Sequence, residues 1–229
     1  MAENHGEVFL TKKKVDTLII SDVHLRSRVC RAHALLAVLS EFEIKRLIVN
    51  GDFFDQPQGR LPRSHRQVIA YIHELKHAGC EVIFIDGNHD PNSITPQEHY
   101  LWQYNDETYL AIHGHQFDKI HDENAFISNL GDIVYRCAQI LLTHERNFAR
   151  TIKYRNKKWL AASEVIAAGA AAYAHALHAQ HVFCGHTHRA LRRDFPEIGV
   201  VYYNSGCFTD IPATYITISE KGVETHEYF

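Results

Sequence analysis

The chain has 229 residues, 45% of them apolar and 22% charged, with a formal charge of −3. That length and apolar share allow one domain with a substantial core and exclude a disordered chain. The near balance of charge excludes a general electrostatic pull toward nucleic acid or membrane. Histidine is the outlier, with 18 residues against 24 Lys and Arg. Imidazole both binds metals and titrates near neutrality, so the excess raises the expectation of a metal or acid–base site.

The opening stretch MAENHGEVFLTKKK lacks the apolar segment of a signal peptide, and no run approaches the ~18 apolar residues of a membrane-spanning helix. The five cysteines, at 30, 80, 137, 184 and 207, are widely spaced with no CxxC. They read as small buried hydrophobes of a reducing compartment, and a cytoplasmic location is expected.

Seven short β-branched or aromatic runs then follow in order: TLIIS (17–21), RLIVN (46–50), EVIFID (81–86), TYLAIH (108–113), HVFCG (181–185), VVYYN (200–204) and TYITIS (214–219). Their length and composition predict buried strands. Helices are expected over 28–42, with Ala34, Leu35, Val38 and Leu39 on one stripe. A second is expected over 63–78, with Val68, Ile69, Ile72 and Leu75 inward and Gly79 closing it. The β-α-β-α-β order argues for an α/β layered fold. Residues 120–178 differ. Phe126, Ile127, Leu130, Ile133, Val134 and Ile140 recur at helical spacing, and WLAASEVIAAGAAAYAHALH (159–178) is alanine-dense. The block reads as a helical cap inserted in a single domain spanning 1–229.

Chemistry-bearing residues gather after the strands. Asp22-Val23-His24 follows the first, Gly51-Asp52-Phe53-Phe54-Asp55 the second, and Gly87-Asn88-His89-Asp90 the third. His113-Gly114-His115 follows the next, and Gly185-His186-Thr187-His188 the one after. In open α/β sheets the carboxyl ends of strands converge on one crevice, so these groups can meet. If strand geometry continues through GHTH, His186 and His188 point the same way. Carboxylate, imidazole and amide oxygen together favour Mn²⁺, Fe²⁺, Zn²⁺ or Co²⁺ over a thiolate-bound ion. Six or seven ligands exceed one tetrahedral ion, and two ions sharing a carboxylate fit better.

In these motifs the chain resembles the calcineurin-like metallophosphoesterases, whose pattern is D-x-H, G-D-x-x-D, G-N-H-D/E, a later histidine and G-H-x-H. The resemblance spans Asp22 to His188. It implies a four-layer β-sandwich flanked by helices and two divalent ions, Mn²⁺ foremost. It implies that Asp22, His24 and His188 hold one ion, that Asn88, His113 and His186 hold the other, and that Asp52 bridges them. His89 becomes the candidate proton donor, oriented by Asp55. Asp90 is an alternative partner that reads more as a turn-stabilising carboxylate, and His115 either serves the site or is simply exposed.

A closer resemblance is to the UDP-2,3-diacylglucosamine pyrophosphohydrolases of lipid A synthesis, which carry a helical insertion and a later Y-x-N-x-G segment. Tyr202-Tyr203-Asn204-Ser205-Gly206 occupies that place, making Asn204 a candidate substrate contact. The resemblance implies a lipid-linked phosphoester substrate and work at the inner membrane. The chain departs from that branch at His89, where the branch has Arg, and at His115, where it has Asp. Those departures point to a broader phosphodiesterase or pyrophosphatase chemistry, with cyclic nucleotides and phosphoproteins as alternatives. The basic run Arg146, Arg150, Lys153, Arg155, Lys157 and Lys158 admits three readings: a solvated helix face, a grip on substrate phosphate, or a peripheral membrane contact. Nucleic acid is not expected as a partner. A non-catalytic scaffold on the same fold would be expected to lose a ligand or the acid, and this chain keeps them all.

Overall fold

The computed structural model describes residues 12–55, 59–90, 97–118 and 157–229, with the backbone alone for 157–161. Two five-stranded sheets lie face to face. The first has the order β10-β9-β1-β2-β3 and the second β4-β5-β6-β8-β7. In the first, β1 (Lys13–Ile20), β2 (Phe42–Asn50) and β3 (Glu81–Ile85) run parallel, while β9 (Ala213–Ser219) and β10 (Gly222–Tyr228) return antiparallel beside β1. In the second, β5 (Glu107–Ile112), β6 (His181–Cys184) and β8 (Val200–Asn204) are parallel, flanked by antiparallel β4 (His99–Tyr104) and β7 (Leu191–Phe195).

The period-2 alternation of strands sorts the core into layers. Leu18, Ile20, Leu47 and Val49 pack outward against α1 (Ala32–Glu41) and α2 (Arg63–His77), meeting Leu35, Val38, Leu39, Val68 and Ile72. Ile19, Ile48 and Ile216 face the other way and meet Trp102, Tyr109, Phe183 and Tyr203 between the sheets. On the far side, α3 (Lys157–Ala176) covers the second sheet, setting Ala167, Ala170, Ala171 and Ala174 against Leu110, Ile112 and Val182. Short side chains let the helix axis approach the sheet closely, so the alanine bias is a packing device. The result is the expected four layers, helix–sheet–sheet–helix. Helix α2 ends at Gly79 as the sequence expects, with the amides of Ala78, Gly79 and Cys80 folding back on its last carbonyls.

The alanine-dense stretch of the expected insertion forms α3, whose small-residue face belongs to the core; residues 120–156 lie outside the described residues. The strands β4, β7 and β10, with their mixed polar sequences HYLWQY, LRRDF and GVETHEY, were not among the expected runs. Among the described residues no helix is long and apolar enough to cross a membrane.

Candidate metal centre

Beyond the ends of β1 and β2 the two chains stay paired. Asp22 N–H donates to the Gly51 carbonyl at 3.1 Å, His24 N–H to Asp52 at 2.9 Å and Leu25 N–H to Phe53 at 2.8 Å. This extension fixes the backbone of three candidate ligands before any side chain is considered. The second sheet is stapled to it. Asn50 Nδ2 donates to the carbonyls of Phe183 at 3.0 Å and Ile112 at 3.3 Å, and the buried hydroxyls of Ser21 and Ser205 meet at 2.8 Å. The seam between the sheets therefore closes where both sets of strand-end motifs lie.

Close approach decides the glycines. A Cβ on Gly51, whose φ is +82°, would sit 2.3 Å from His113 Nδ1, and one on Gly185 would sit 2.4 Å from Asp22 Oδ2. The ligand residues themselves are held in the left-handed region: φ is 50° at Asp22, 49° at His24, 51° at Asp52, 64° at His186 and 56° at His188. Asp and His tolerate that region better than most side chains. Each such residue still costs about 1–3 kcal/mol, offset by the packed surroundings, and such strain gathers at functional sites. Strand geometry thus stops at Cys184. His186 and His188 do not share a face by alternation; two left-handed turns aim them apart.

They go to different clusters. Asp22, His24 and His188 offer ligand atoms within 4.8 Å of one another, and so do Asp52, His113 and His186. In the first, His188 Nε2 lies 3.2 Å from Asp22 Oδ1 and 3.3 Å from His24 Nε2. In the second, His113 Nε2 lies 3.4 Å from Asp52 Oδ2. That same Asp52 oxygen is 3.7 Å from His24 Nε2, so it faces an imidazole of each cluster. Each cluster draws from both sheets: β1, β2 and their loops supply the aspartates and His24, β5 and β6 the other histidines.

The electrostatics suit cations. Asp22, Asp52 and His113 are almost wholly buried. Asp22 Oδ1, His24 Nδ1 and His113 Nε2 are buried with no hydrogen bond among the described residues, meeting only ion-pair contacts of 3.2, 3.3 and 3.4 Å, and buried polar atoms so weakly satisfied suit a bound cation. Burial pulls His113 down, but the Asp52 and Asp22 carboxylates and the Asn50 carbonyl outweigh it and hold it up at about 9. Asp22 and then Cys207 lift His188 to about 10. Burial lowers His24 despite Asp52 and Asp22. Burial opposes ionisation of Asp52, yet His113 and the His89 amide keep its carboxyl well below the usual range. With oxygen and imidazole donors around one shared carboxylate, the residues fit a pair of divalent ions.

The remaining expectations divide. His89 N–H donates to Asp52 Oδ1 at 2.9 Å, and its exposed ring stands edge-on to His24 at 5.0 Å. The Asp55 carboxylate lies between two rings: Oδ1 is 3.3 Å from His24 Nδ1, the carboxylate, His24 and His89 offer ligand atoms within 4.8 Å of one another, and the Asp55 carbonyl stands 3.3 Å from His89 Nδ1. Asn88 is exposed between Gly87 and His89, and no contact of its amide with His113 or His186 is found among the described residues. Asp90 accepts from the amides of Phe54, Gly87 and Phe53 at 2.9, 3.2 and 3.3 Å, which is the turn-stabilising role.

His115 is half-buried, its ring 5.5 Å from His113 and 6.2 Å from His186. Burial, with those two rings, lowers it to about 4. Asn204, expected as a substrate contact, is turned into the protein as an internal brace. It is buried, and its Nδ2 donates to the Gly185 carbonyl, Thr187 Oγ1 and Tyr202 Oη, while its Oδ1 accepts from Gly206 N–H. Arg146, Arg150, Lys153 and Arg155 lie outside the described residues, and Lys157 and Lys158 are placed only as backbone in the first turn of α3. Sequence reasoning missed Asp118, whose Oδ2 accepts from His186 Nε2 at 2.7 Å. Its signal was available, a carboxylate three residues beyond His115 where a short turn ends.

The sequence profile described as calcineurin-like phosphoesterase matches residues 16–190. No curated protein matches significantly. Among solved structures, Vps29 from Chaetomium thermophilum is similar with a TM-score of 0.53 at 11% identity, over 95% of this chain and 98% of that one. YfcE, a phosphoesterase from E. coli, gives 0.47 at 18% identity over 89% and 88%. An archaeal phosphodiesterase gives 0.48 at 14% over 92% and 98%. At these identities the Vps29 likeness speaks to the fold alone.

Proposed function

Because the chain belongs to the calcineurin-like phosphoesterase family, we propose that it hydrolyses a phosphodiester or pyrophosphate bond at a pair of divalent ions. The observation that carries this reading is the position of Asp52 Oδ2, 3.4 Å from His113 Nε2 and 3.7 Å from His24 Nε2, one carboxylate oxygen between two histidine clusters. Asp22, His24 and His188 would hold one ion, His113 and His186 the other, with Asn88 as a further ligand and Asp52 shared. Such a pair, when bound, supplies an ionised water near neutral pH and offsets charge on the phosphoryl oxygens.

The protein's own groups do the rest. His89 stands exposed at the rim with Nδ1–H beside the Asp55 carbonyl, and as the imidazolium it would carry a second proton on Nε2 to give to the departing oxygen, leaving the neutral ring behind. The Asp55 carboxylate stands 3.3 Å from His24 Nδ1 and so holds that ring from its outer side. The two sheets bury Asp22, Asp52 and His113 on the inner face of both clusters.

Within this class the substrate is proposed by resemblance: UDP-2,3-diacylglucosamine or a similar lipid-linked nucleotide, with cyclic nucleotides and phosphoproteins as alternatives. The experiment is Mn²⁺-dependent turnover of bis-p-nitrophenyl phosphate and UDP-2,3-diacylglucosamine in parallel, with Asp52→Asn as control. We expect the wild-type protein to cleave the generic diester and Asp52→Asn to lose at least ~10²–10³ of that rate with its circular dichroism intact. Much faster cleavage of the lipid nucleotide assigns the substrate. Undiminished turnover by Asp52→Asn overturns the shared-carboxylate mechanism.

A further inference from the structure

We propose that Asp118 is a positioning residue for the second cluster: it holds the proton of His186 on Nε2 and so leaves Nδ1 as the nitrogen that binds the ion. The inference rests on the dinuclear reading above and adds a residue to it. The geometry comes first. His186 Nε2 lies 2.7 Å from Asp118 Oδ2, a charge-assisted length. A neutral imidazole has one donor and one acceptor nitrogen. With Nε2–H given to Asp118, the lone pair is on Nδ1, and His186 offers a ring nitrogen within 4.8 Å of ligand atoms of Asp52 and His113.

The rest of the ring's surroundings agree. The backbone amide of His186 donates to Asp22 Oδ2 at 3.0 Å, and its ring crosses that of His113 edge-on at 5.3 Å, so its placement is set from both sides. Asp118 is itself set by a built turn rather than by a free surface loop. Phe117 N–H donates to Gly114 O and Asp118 N–H to His115 O, while Gln116 Oε1 accepts from Gly114 N–H. Phe117 is buried in the core beneath α3, its ring 6.1 Å from Tyr173. The carboxylate is thus delivered to His186 by a short turn pinned into the hydrophobic layer. A carboxylate on the outer nitrogen of a metal-binding histidine fixes its tautomer and raises its basicity, and removing it weakens metal affinity ~10–100-fold.

The test is a metal titration of the chelator-treated full-length protein, using Co²⁺ against a chromophoric competitor, together with ¹⁵N spectra of the histidine rings. We expect the wild type to bind two ions and, metal-free, to carry the His186 proton on Nε2. Asp118→Ala should keep one ion at wild-type affinity and bind the other ~10–100-fold more weakly, with a mixed His186 tautomer. Asp118→Asn, which keeps an acceptor without the charge, should fall between, and Asp118→Glu should restore most of the loss. The inference is overturned if Asp118→Ala binds both ions as the wild type does. It is overturned equally if metal-free His186 carries its proton on Nδ1, or if both ions weaken alike with a lowered melting temperature. Should the wild type bind fewer than two ions, the dinuclear reading falls, and the ring signature still decides where the His186 proton sits.

Discussion

The Nδ1–H of His113 donates to the carbonyl oxygen of Asn50 across 2.8 Å, tying the end of β5 to the end of β2. The bond fixes the imidazole's tautomer and turns Nε2 toward Asp52. A histidine held this way binds either a proton or a metal at Nε2, and the two compete.

That competition sets a pH dependence. The folded protein raises His113 from 6.5 to about 9 and His188 from 6.5 to about 10. A raised histidine stabilises the fold fully below its unfolded value and loses that contribution as pH rises through its folded value. The metal-free protein should therefore melt progressively lower between pH 7 and 10.5, whereas the metal-loaded protein should show a flatter profile. Metal affinity should climb over the same range, with proton release seen by calorimetry in two buffers of different ionisation enthalpy. A metal-free melting temperature that rises with pH would contradict the assignment.

Gly51→Ala should damage both fold and site. The new methyl would collide with His113 Nδ1, and the backbone already sits at φ +82°. Strain of at least ~1–3 kcal/mol is expected, which in a chain of this size lowers the melting temperature by ~2–4 °C per kcal/mol. Weaker binding of the second ion should accompany it. An unchanged melting curve would show that the His113–Asn50 contact gives way without cost.

Asn204→Ala separates a brace from a substrate contact. Its amide supports Gly185 and Thr187 inside the GHTH loop, and leaving those partners unmet should cost ~1–3 kcal/mol. Stability and metal affinity should fall while KM for the diester holds. A raised KM with unaltered stability would restore the substrate-contact reading.

His89→Ala should slow poor leaving groups by ~10²–10⁴ and p-nitrophenol esters little, as loss of a proton donor does. A plot of log kcat against leaving-group pKa reads this directly. Equal slopes for variant and wild type would remove His89 from that role.

The legible parts of the fold were those whose signal is local. β1, β2 and β3 are apolar over their inner halves, and the stripes of α1 and α2 follow the helical period, so sequence alone placed them within a few residues. β4, β7 and β10 were missed for a shared physical reason: they are sheet edges that, unlike the edge strand β3 with its apolar EVIFI, mix polar and apolar residues. An edge strand buries few side chains and carries polar residues that discourage further pairing, so it looks like a loop. The site was legible as strand-end motifs because glycine, aspartate and histidine are concentrated there. Which carboxylate meets which imidazole was not, since that depends on how one sheet slides over the other. Asp55 reaching His24, Asn204 turning inward and Asp118 meeting His186 are contacts among the loops of a single sheet, and they depend on turn conformations that residue types alone do not print.

The seam has a consequence for synthesis. Ser21 and Ser205, which meet across it, are 184 residues apart in the chain, and β1 lacks its antiparallel neighbour until β9 has been made. A growing chain that has released Asp22, His24 and Asp52 into solution still has neither completed sheet to hold them. Ion capture therefore waits for the last strands, and a chain stopped before β8 should retain no divalent ion in equilibrium dialysis. Assembly of the two layers and loading of the centre become one late event on the ribosome's timetable.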